Sequence, residues 1–326
     1  MKRTGGLLLA AALPVGIAFG AAPSVGATAE PLRARLHGDL RRALGRLSED
    51  LPGVAGFMIR DLASGEEFES EPDRIFPAAS VIKVPIFLEL LRQGEEGTID
   101  LARRGELDPA ARVAGGGVLE TWSPPYPPLS AGELAVLMMD FSDNFAANLL
   151  IDRVGIERVN RRLRVWGFRE TRLQRKMMDI AAARAGRENL STPRDLASMF
   201  EKLLRVELLS PDTTRRAIAV MKANQSEPPR RTPIKEALPE GVEAADKEGE
   251  LEGVRCAAGI VFVPARDAFR GLEIAGPTRP FVLAVMTTAL RDDTAGGPFI
   301  GAVTRAAFDY FAGAALLSEH GRRLPP

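Results

Sequence analysis

Leucines recur at Leu32, Leu36, Leu40, Leu44 and Leu47, four, four, four and three residues apart, with arginines between them. That period predicts an amphipathic helix over residues 30–48. GVAGFMIRD, residues 53–61, predicts a strand, and Ala63-Ser64-Gly65 predicts a turn toward a second one. From about residue 77 to 225 the pattern is mainly helical, broken by Gly115-Gly116-Gly117 and by the proline-rich WSPPYPPLS at 122–130. Apolar, β-branched runs return at 255–263 and 281–288 and predict strands. Residues 299–316 suit a closing helix, with Ile300, Val303, Ala307, Tyr310 and Phe311 on one side. Strands at both ends and helices between them imply an α/β (α+β) sandwich. Its sheet layer comes from about residues 30–76 and 230–318, with a helical subdomain, about 77–229, inserted; the first and last helices cover the sheet, giving one domain over 30–320.

Composition narrows the class. At 326 residues and 45% hydrophobic content the chain can bury a large core. Lys plus Arg and Asp plus Glu both number 43, so no bulk charge draws the protein to nucleic acid or an anionic membrane. Lys2 and Arg3 precede an apolar run from Leu7 to Phe19, and Val25-Gly26-Ala27 supplies small residues after it. This layout predicts a secretory signal over residues 1–27, with cleavage after Ala27 or Ala29, export to the periplasm or beyond, and no membrane attachment afterwards. Cys256 is the only cysteine, so no internal disulfide forms, and it is expected to pack as a small apolar residue in a strand. The two histidines, His37 and His320, lie near opposite ends, which leaves little for a histidine triad or a zinc site. A hydrolase built on this chain needs lysine or a carboxylate as its base.

Three stretches carry chemistry. In PAASVIKVPIFLELL, residues 77–91, Ser80 and Lys83 are three apart and share one face of a helix start, where backbone N–H groups can also hold an oxyanion. The plain reading is a cap followed by a surface lysine. In MMDFSDNFAANLLIDRVG, 138–155, the polar triplet Ser142-Asp143-Asn144 interrupts an apolar helical pattern, as a turn or as a loop facing a cleft. In AADKEGELEGVRCAAGIVFVP, 244–264, Lys247-Glu248-Gly249 precedes a glycine turn and Arg255; its plain reading is a charged hairpin at a sheet edge.

Taken in order, Ser80-Val-Ile-Lys83, Ser142-Asp143-Asn144 and Lys247-Glu248-Gly249 resemble the S-x-x-K, S-D-N and K-T-G set of the class A β-lactamase family. The flanking words SDNFAANLLIDRVG and GVRCAAGIVFVP are similar to that family too, so the resemblance covers roughly residues 35–315. It implies an antiparallel sheet flanked by terminal helices with an all-helical insert, and a cofactor- and metal-free monomer acting on a small β-lactam or cell-wall-like amide or ester. It also implies roles. Ser80 is the acylated nucleophile, Lys83 its activating neighbour, and Ser142 the proton relay to the leaving nitrogen. Asn144 positions Lys83 and the substrate, and Lys247 lines the site opposite Ser80. The N–H groups of Ser80 and Glu250 form the oxyanion hole, and Arg255 meets a substrate carboxylate.

Two departures matter. Glu248 stands where the family has Thr or Ser. Facing inward and ionised, it repels a substrate carboxylate at 4 Å by about 4 kcal/mol at an effective dielectric of 20. Paired with Lys247 or Arg255 it cancels the anion-binding patch; turned to water it changes little. The second departure is RLQRKMMDIA, 172–181, where the family carries R-W-E-x-E-L-N and the first glutamate activates the hydrolytic water. Aligning Arg175 with the arginine puts Met177 at that glutamate, Asp179 at the second and Ala181 at the asparagine, while Asn189 stands where an aspartate often closes the loop neck. Asp179 is the candidate replacement base. The expected activity is β-lactam hydrolysis through an acyl-enzyme, with deacylation in question. The alternatives are a peptidase or esterase of the same fold and a covalent penicillin-binding protein without turnover.

Overall fold

The computed structural model describes residues 29–223, 232–265 and 278–315. The segment expected to be a signal, and His320, lie outside the described residues. Helix α1 (Ala29–Asp50) forms over the leucine period, with Leu40 and Leu44 buried. The strands of the main sheet follow in two groups: β1 (Val54–Asp61) and β2 (Glu67–Ser70), then β3 (Glu243–Leu251), β4 (Val254–Pro264) and β5 (Thr278–Thr288). They make one sheet of order β2-β1-β5-β4-β3, each neighbouring pair antiparallel. β3 is therefore an edge strand.

Alternation along the strands sorts side chains into two cores. Cys256, Ala258, Ile260 and Phe262 of β4, with Val282, Ala284 and Met286 of β5, face the helices between residues 83 and 222. Ala257, Val261 and Val263, with Phe281, Leu283 and Val285, face α1 and the last helix, Gly296–Ala315. Both faces are covered, which is why these strands read as unbroken apolar runs rather than alternating ones. In the last helix Ile300, Val303, Ala307 and Phe311 are buried as the period predicts. Tyr310 is only partly buried, and its hydroxyl donates to Glu66 Oε1 at 2.7 Å.

Between the strand groups lie α2 (Lys83–Glu95), α3 (Ala131–Asp140), α4 (Asn144–Val154), α5 (Ile156–Trp166), α6 (Ile180–Arg184), α7 (Pro193–Leu204), α8 (Pro211–Lys222) and α9 (Pro233–Ala237); the last helix is α10. Residues 83–90 of α2 are buried without a break, as expected of a central helix packed on every side. The starts of the flanking helices are set by side chains. Ser130 and Glu133 make a reciprocal capping box on α3, Asp143 accepts from Ala146 N on α4, and Thr192 accepts from Asp195 N on α7. No helix among the described residues is long and apolar enough to cross a membrane.

Candidate active site

Ser80 lies in a tight 3-10 turn, Ala79–Ile82, that runs directly into α2. Ala79 takes a left-handed φ of +46°, unusual for a residue with a Cβ, and turns the chain so that the half-buried Ser80 meets the cleft. Pro85 follows in the first turn of α2, where its missing N–H interrupts nothing. One turn on from Ser80, Lys83 is fully buried, and its ammonium gathers the polar groups of the site. Nζ is 3.2 Å from Ser80 Oγ, 2.8 Å from Asn144 Oδ1, 3.1 Å from Ser142 Oγ and 2.7 Å from Ser142 O. These acceptors are neutral oxygens converging on one nitrogen.

The Ser142 segment explains its own polarity. Ser142 has φ +54° in the connection between α3 and α4, a conformation held by the two bonds from Lys83. Asp143 is buried; one carboxylate oxygen caps α4 and the other accepts from Leu119 N at 2.7 Å, tying the 115–119 loop to the site. Asn144 uses both ends of its amide, accepting from Lys83 and donating through Nδ2 to Gly115 O at 2.9 Å.

The third group comes from β3. Ala245, Lys247 and Gly249 alternate on the face turned toward α2, and Ala244, Glu248 and Glu250 on the other. At Gly249 the strand passes so close to Ser80 that an added Cβ would sit 2.6 Å from Ser80 N and 2.9 Å from Ala79 Cβ, so only glycine fits. Lys247 is buried and donates to Glu248 O at 2.7 Å. Behind it, burial pushes the Asp246 carboxyl above the usual carboxylate range, against the pull of Lys235, Thr232 and Lys247. Lys235 Nζ lies 3.2 Å from Asp246 Oδ1.

Ser80, Gly115, Gly116, Phe141, Ser142, Glu248, Gly249 and Glu250 together line a cleft of about 230 Å³. The fold thus brings Ser80, Lys83, Ser142, Asn144, Lys247, Glu248 and Glu250 to one place. Arg255, half-buried on β4 directly opposite Glu250, is engaged from two sides. Nη2 lies 3.0 Å from Glu248 Oε2, and Nη1 bonds Glu250. Of the orientations open to Glu248, pairing with Arg255 is the one adopted, and the side chain is 6% exposed rather than turned into water.

The 172–181 loop is placed by residues that the sequence did not single out. Asn148, four residues after Asn144 on α4, accepts from Met177 N at 2.7 Å and donates to Met177 O at 3.1 Å, fixing that backbone from both sides. Its spacing from Asn144 was the available signal, since i and i+4 share a helix face. Met177 is 6% exposed and belongs to the apolar core. Met178, with φ +62°, lies over Gly115, where an added Cβ would come within 2.6 Å of its sulfur. Asp179 is exposed, and its carboxylate accepts from Ala182 N at 2.9 Å as the cap of α6. Neither Met177 nor Asp179 lines the cleft. At the loop neck Asn189 accepts from the backbone N–H groups of Gln174 and Arg175. The Arg175 guanidinium is neutralised by Glu188 at 2.7 Å. Cys256 is buried beneath the Ser80 turn, its Sγ 3.4 Å from Pro77 O, and burial pushes its thiol up to about 12.

Known proteins are similar to this chain. Among curated relatives, the beta-lactamase of Streptomyces albus G is 29% identical over 272 residues, 79% of each chain. The beta-lactamase regulatory protein BlaB of Streptomyces cacaoi is 30% identical over 137 residues, 41% of this chain and 44% of that one, so the match spans less than half of that relative. Among solved structures, a PBP-A variant in an acyl-enzyme complex with penicillin G superposes with a TM-score of 0.71 at 28% identity, covering 85% of this chain and 96% of that one. Residues 39–311 match the family model described as the beta-lactamase enzyme family, and the chain belongs to that family.

Proposed function

We propose that the protein is an exported, cofactor-free serine hydrolase that opens a β-lactam amide, or an acyl bond of similar reactivity, by forming an acyl-enzyme on Ser80. One contact carries the reading: the fully buried Lys83 Nζ lies 3.2 Å from Ser80 Oγ, within reach of its proton. As Oγ adds to the carbonyl carbon, Lys83 in its neutral amine form takes the hydroxyl proton and becomes an ammonium, and the N–H groups of Ser80 and Glu250 meet the developing oxyanion. Ser142 Oγ, 3.1 Å from Lys83 Nζ, gives its proton to the departing nitrogen and takes the one Lys83 holds, so that the C–N bond breaks, the Ser80 ester remains and Lys83 returns to the neutral amine. Asn144 holds Lys83 in place, and Lys247 contributes positive charge from behind the cleft. The acyl-enzyme complex that a PBP-A variant forms with penicillin G supports the first half of this sequence.

Deacylation is slow in this reading. Met177 offers no base to a hydrolytic water, and Asp179 must leave its helix cap to serve as one. A second reading, a covalent penicillin-binding protein without turnover, is favoured by the same Met177 side chain packed in the core. Intact-mass measurement over time, with a chromogenic β-lactam and an activated aryl ester, tests both. The expected result is an adduct on the wild type that outlasts acylation and is absent from Ser80→Ala. No adduct with either reagent would overturn the serine mechanism, and an adduct that never decays would select the trap.

A further inference from the structure

The cleft presents one exposed carboxylate, Glu250, beside a second, Glu248, buried against Arg255, and keeps its lysines behind the wall. Of the residues lining it, only Glu248 and Glu250 are ionisable. Lys83 and Lys247 are 0% and 3% exposed and donate inward, Lys83 to Ser80, Ser142 and Asn144, and Lys247 to Glu248 O. Arg255 is pinned between the two glutamates, a terminal nitrogen on each, and its Nε is buried with no hydrogen-bond partner among the described residues. On the opposite wall the carbonyls of Gly115 and Gly116 accept from Asn144, and the Glu120 carboxylate accepts from Gly116 N at 2.7 Å.

A carboxylate-bearing ligand entering here must compete with Glu248 and Glu250 for one guanidinium while approaching both carboxylates. An ammonium finds two acceptor groups, one of which, Glu250, is exposed. On the reading that Ser80 is acylated, we propose that its substrates are acyl donors carrying an ammonium, and no carboxylate, where the acyl portion lies against β3. Glu248 is then the specificity-determining residue, and it acts through its hold on Arg255 as well as by its own charge. Uncharged acyl groups are tolerated, and a carboxylate on the acyl portion is disfavoured.

The test is a matched set of p-nitrophenyl esters whose acyl parts carry an ammonium, a methyl or a carboxylate at the same distance from the carbonyl. The quantity read is the ratio of kcat/KM for the ammonium and carboxylate esters, so that any general loss of activity in a variant cancels. The ratio is expected to exceed about tenfold in the wild type and to fall with added salt. It should also shrink in both Glu248→Gln and Glu250→Gln, each checked for an unaltered thermal melt. A wild-type ratio at or below one, or a ratio unmoved in both variants, would overturn the proposal while leaving Ser80 acylation intact. Failure of every ester to acylate the wild type, with Ser80→Ala behaving identically, would overturn the serine reading and this proposal together.

Discussion

Replacing Lys83 by methionine separates the site's chemistry from its contribution to stability. Methionine keeps an unbranched apolar stem in the space of a side chain that is 0% exposed, and removes only the ammonium. Two strong acceptors of Lys83, Ser142 O at 2.7 Å and Asn144 Oδ1 at 2.8 Å, then lose their donor. A buried acceptor left unsatisfied costs about 1–3 kcal/mol, so the pair costs roughly 2–6 kcal/mol. Against this, the variant no longer buries an ammonium, a penalty of several kcal/mol even after relaxation. Ser142 also becomes free to leave its left-handed φ of +54°, a conformation worth about 1–3 kcal/mol of strain. The opposing contributions are of similar size, and each kcal/mol left over shifts Tm by roughly 2–4 °C in a domain of this scale. No such offset exists for catalysis. Loss of a positioned general base slows its step by about 10²–10⁴-fold, or roughly 3–5 kcal/mol of barrier. The assay is quenched-flow intact mass with the chromogenic β-lactam, reading the rate of adduct formation beside a thermal melt. An acylation rate within about threefold of wild type, with the adduct still mapped to Ser80, would refute Lys83 as the base.

Four further outcomes are expected. Met177→Glu places a carboxylate on backbone already fixed by Asn148, and should shorten the lifetime of the Ser80 adduct by about 10²–10⁴-fold with little change in its formation; an unchanged lifetime would show that the missing base is not what slows deacylation. Asn148→Ala removes both bonds to Met177 and should cost about 1–3 kcal/mol in a urea titration, with faster hydrogen exchange at the amides of residues 177–179. With its thiol pushed up to about 12, Cys256 is thiolate in only roughly one part in ten thousand at pH 8. Native protein should therefore resist iodoacetamide and react in denaturant. Burial alone raises the carboxyl of Asp61, but its bonds to Arg279 at 2.7 Å and Ser64 Oγ at 2.6 Å outweigh that and hold it below its ordinary value of 3.8. The unfolded chain then takes up this proton first on acidification. The stabilisation is complete above the ordinary carboxylate range and is lost as pH falls through the lowered folded value. Asp61→Asn should flatten that acid limb of a Tm-against-pH curve.

Which of these features the sequence discloses follows from how each is built. The two central strands and the terminal helices are legible because they are held by apolar burial, whose period survives in the residues. The Ser80, Ser142 and Lys247 groups are legible because each is compact in sequence and their order carries information. The loop at 172–181 is half legible. Alignment places Met177, but the residue that fixes it, Asn148, lies 29 positions earlier on α4 and looks like any polar helix residue. Asp179 shows the converse. An acid two residues from Met177 reads as a substitute base, whereas the start of a short helix gives its carboxylate a local partner at Ala182 N.

The charge balance of the cleft depends on something that residue types do not express, the length of one turn. Glu248 and Arg255 are seven apart and belong to different strands; they meet because β3 and β4 are joined by only Glu252 and Gly253, with Gly253 at φ +70°. That two-residue loop sets the register in which Glu250 faces Arg255 and Glu248 faces Ala257. Arg255 is thereby placed on the face that carries both glutamates, and its guanidinium bridges them. Side chains alternate with a period of two, so a register shifted by one residue would send Arg255 to the opposite face. There it would enter the core that Cys256 now occupies, and Glu248 and Glu250 would be left without a counter-ion. The polar run DKEGE can be a buried edge strand only because this register supplies that counter-ion. The same register turns Lys247 toward Ser80 and brings Gly249 against the nucleophile turn. Catalytic placement and the neutralised anion site are thus set by one structural choice, and changing the substrate preference means changing Glu248 rather than moving the strand.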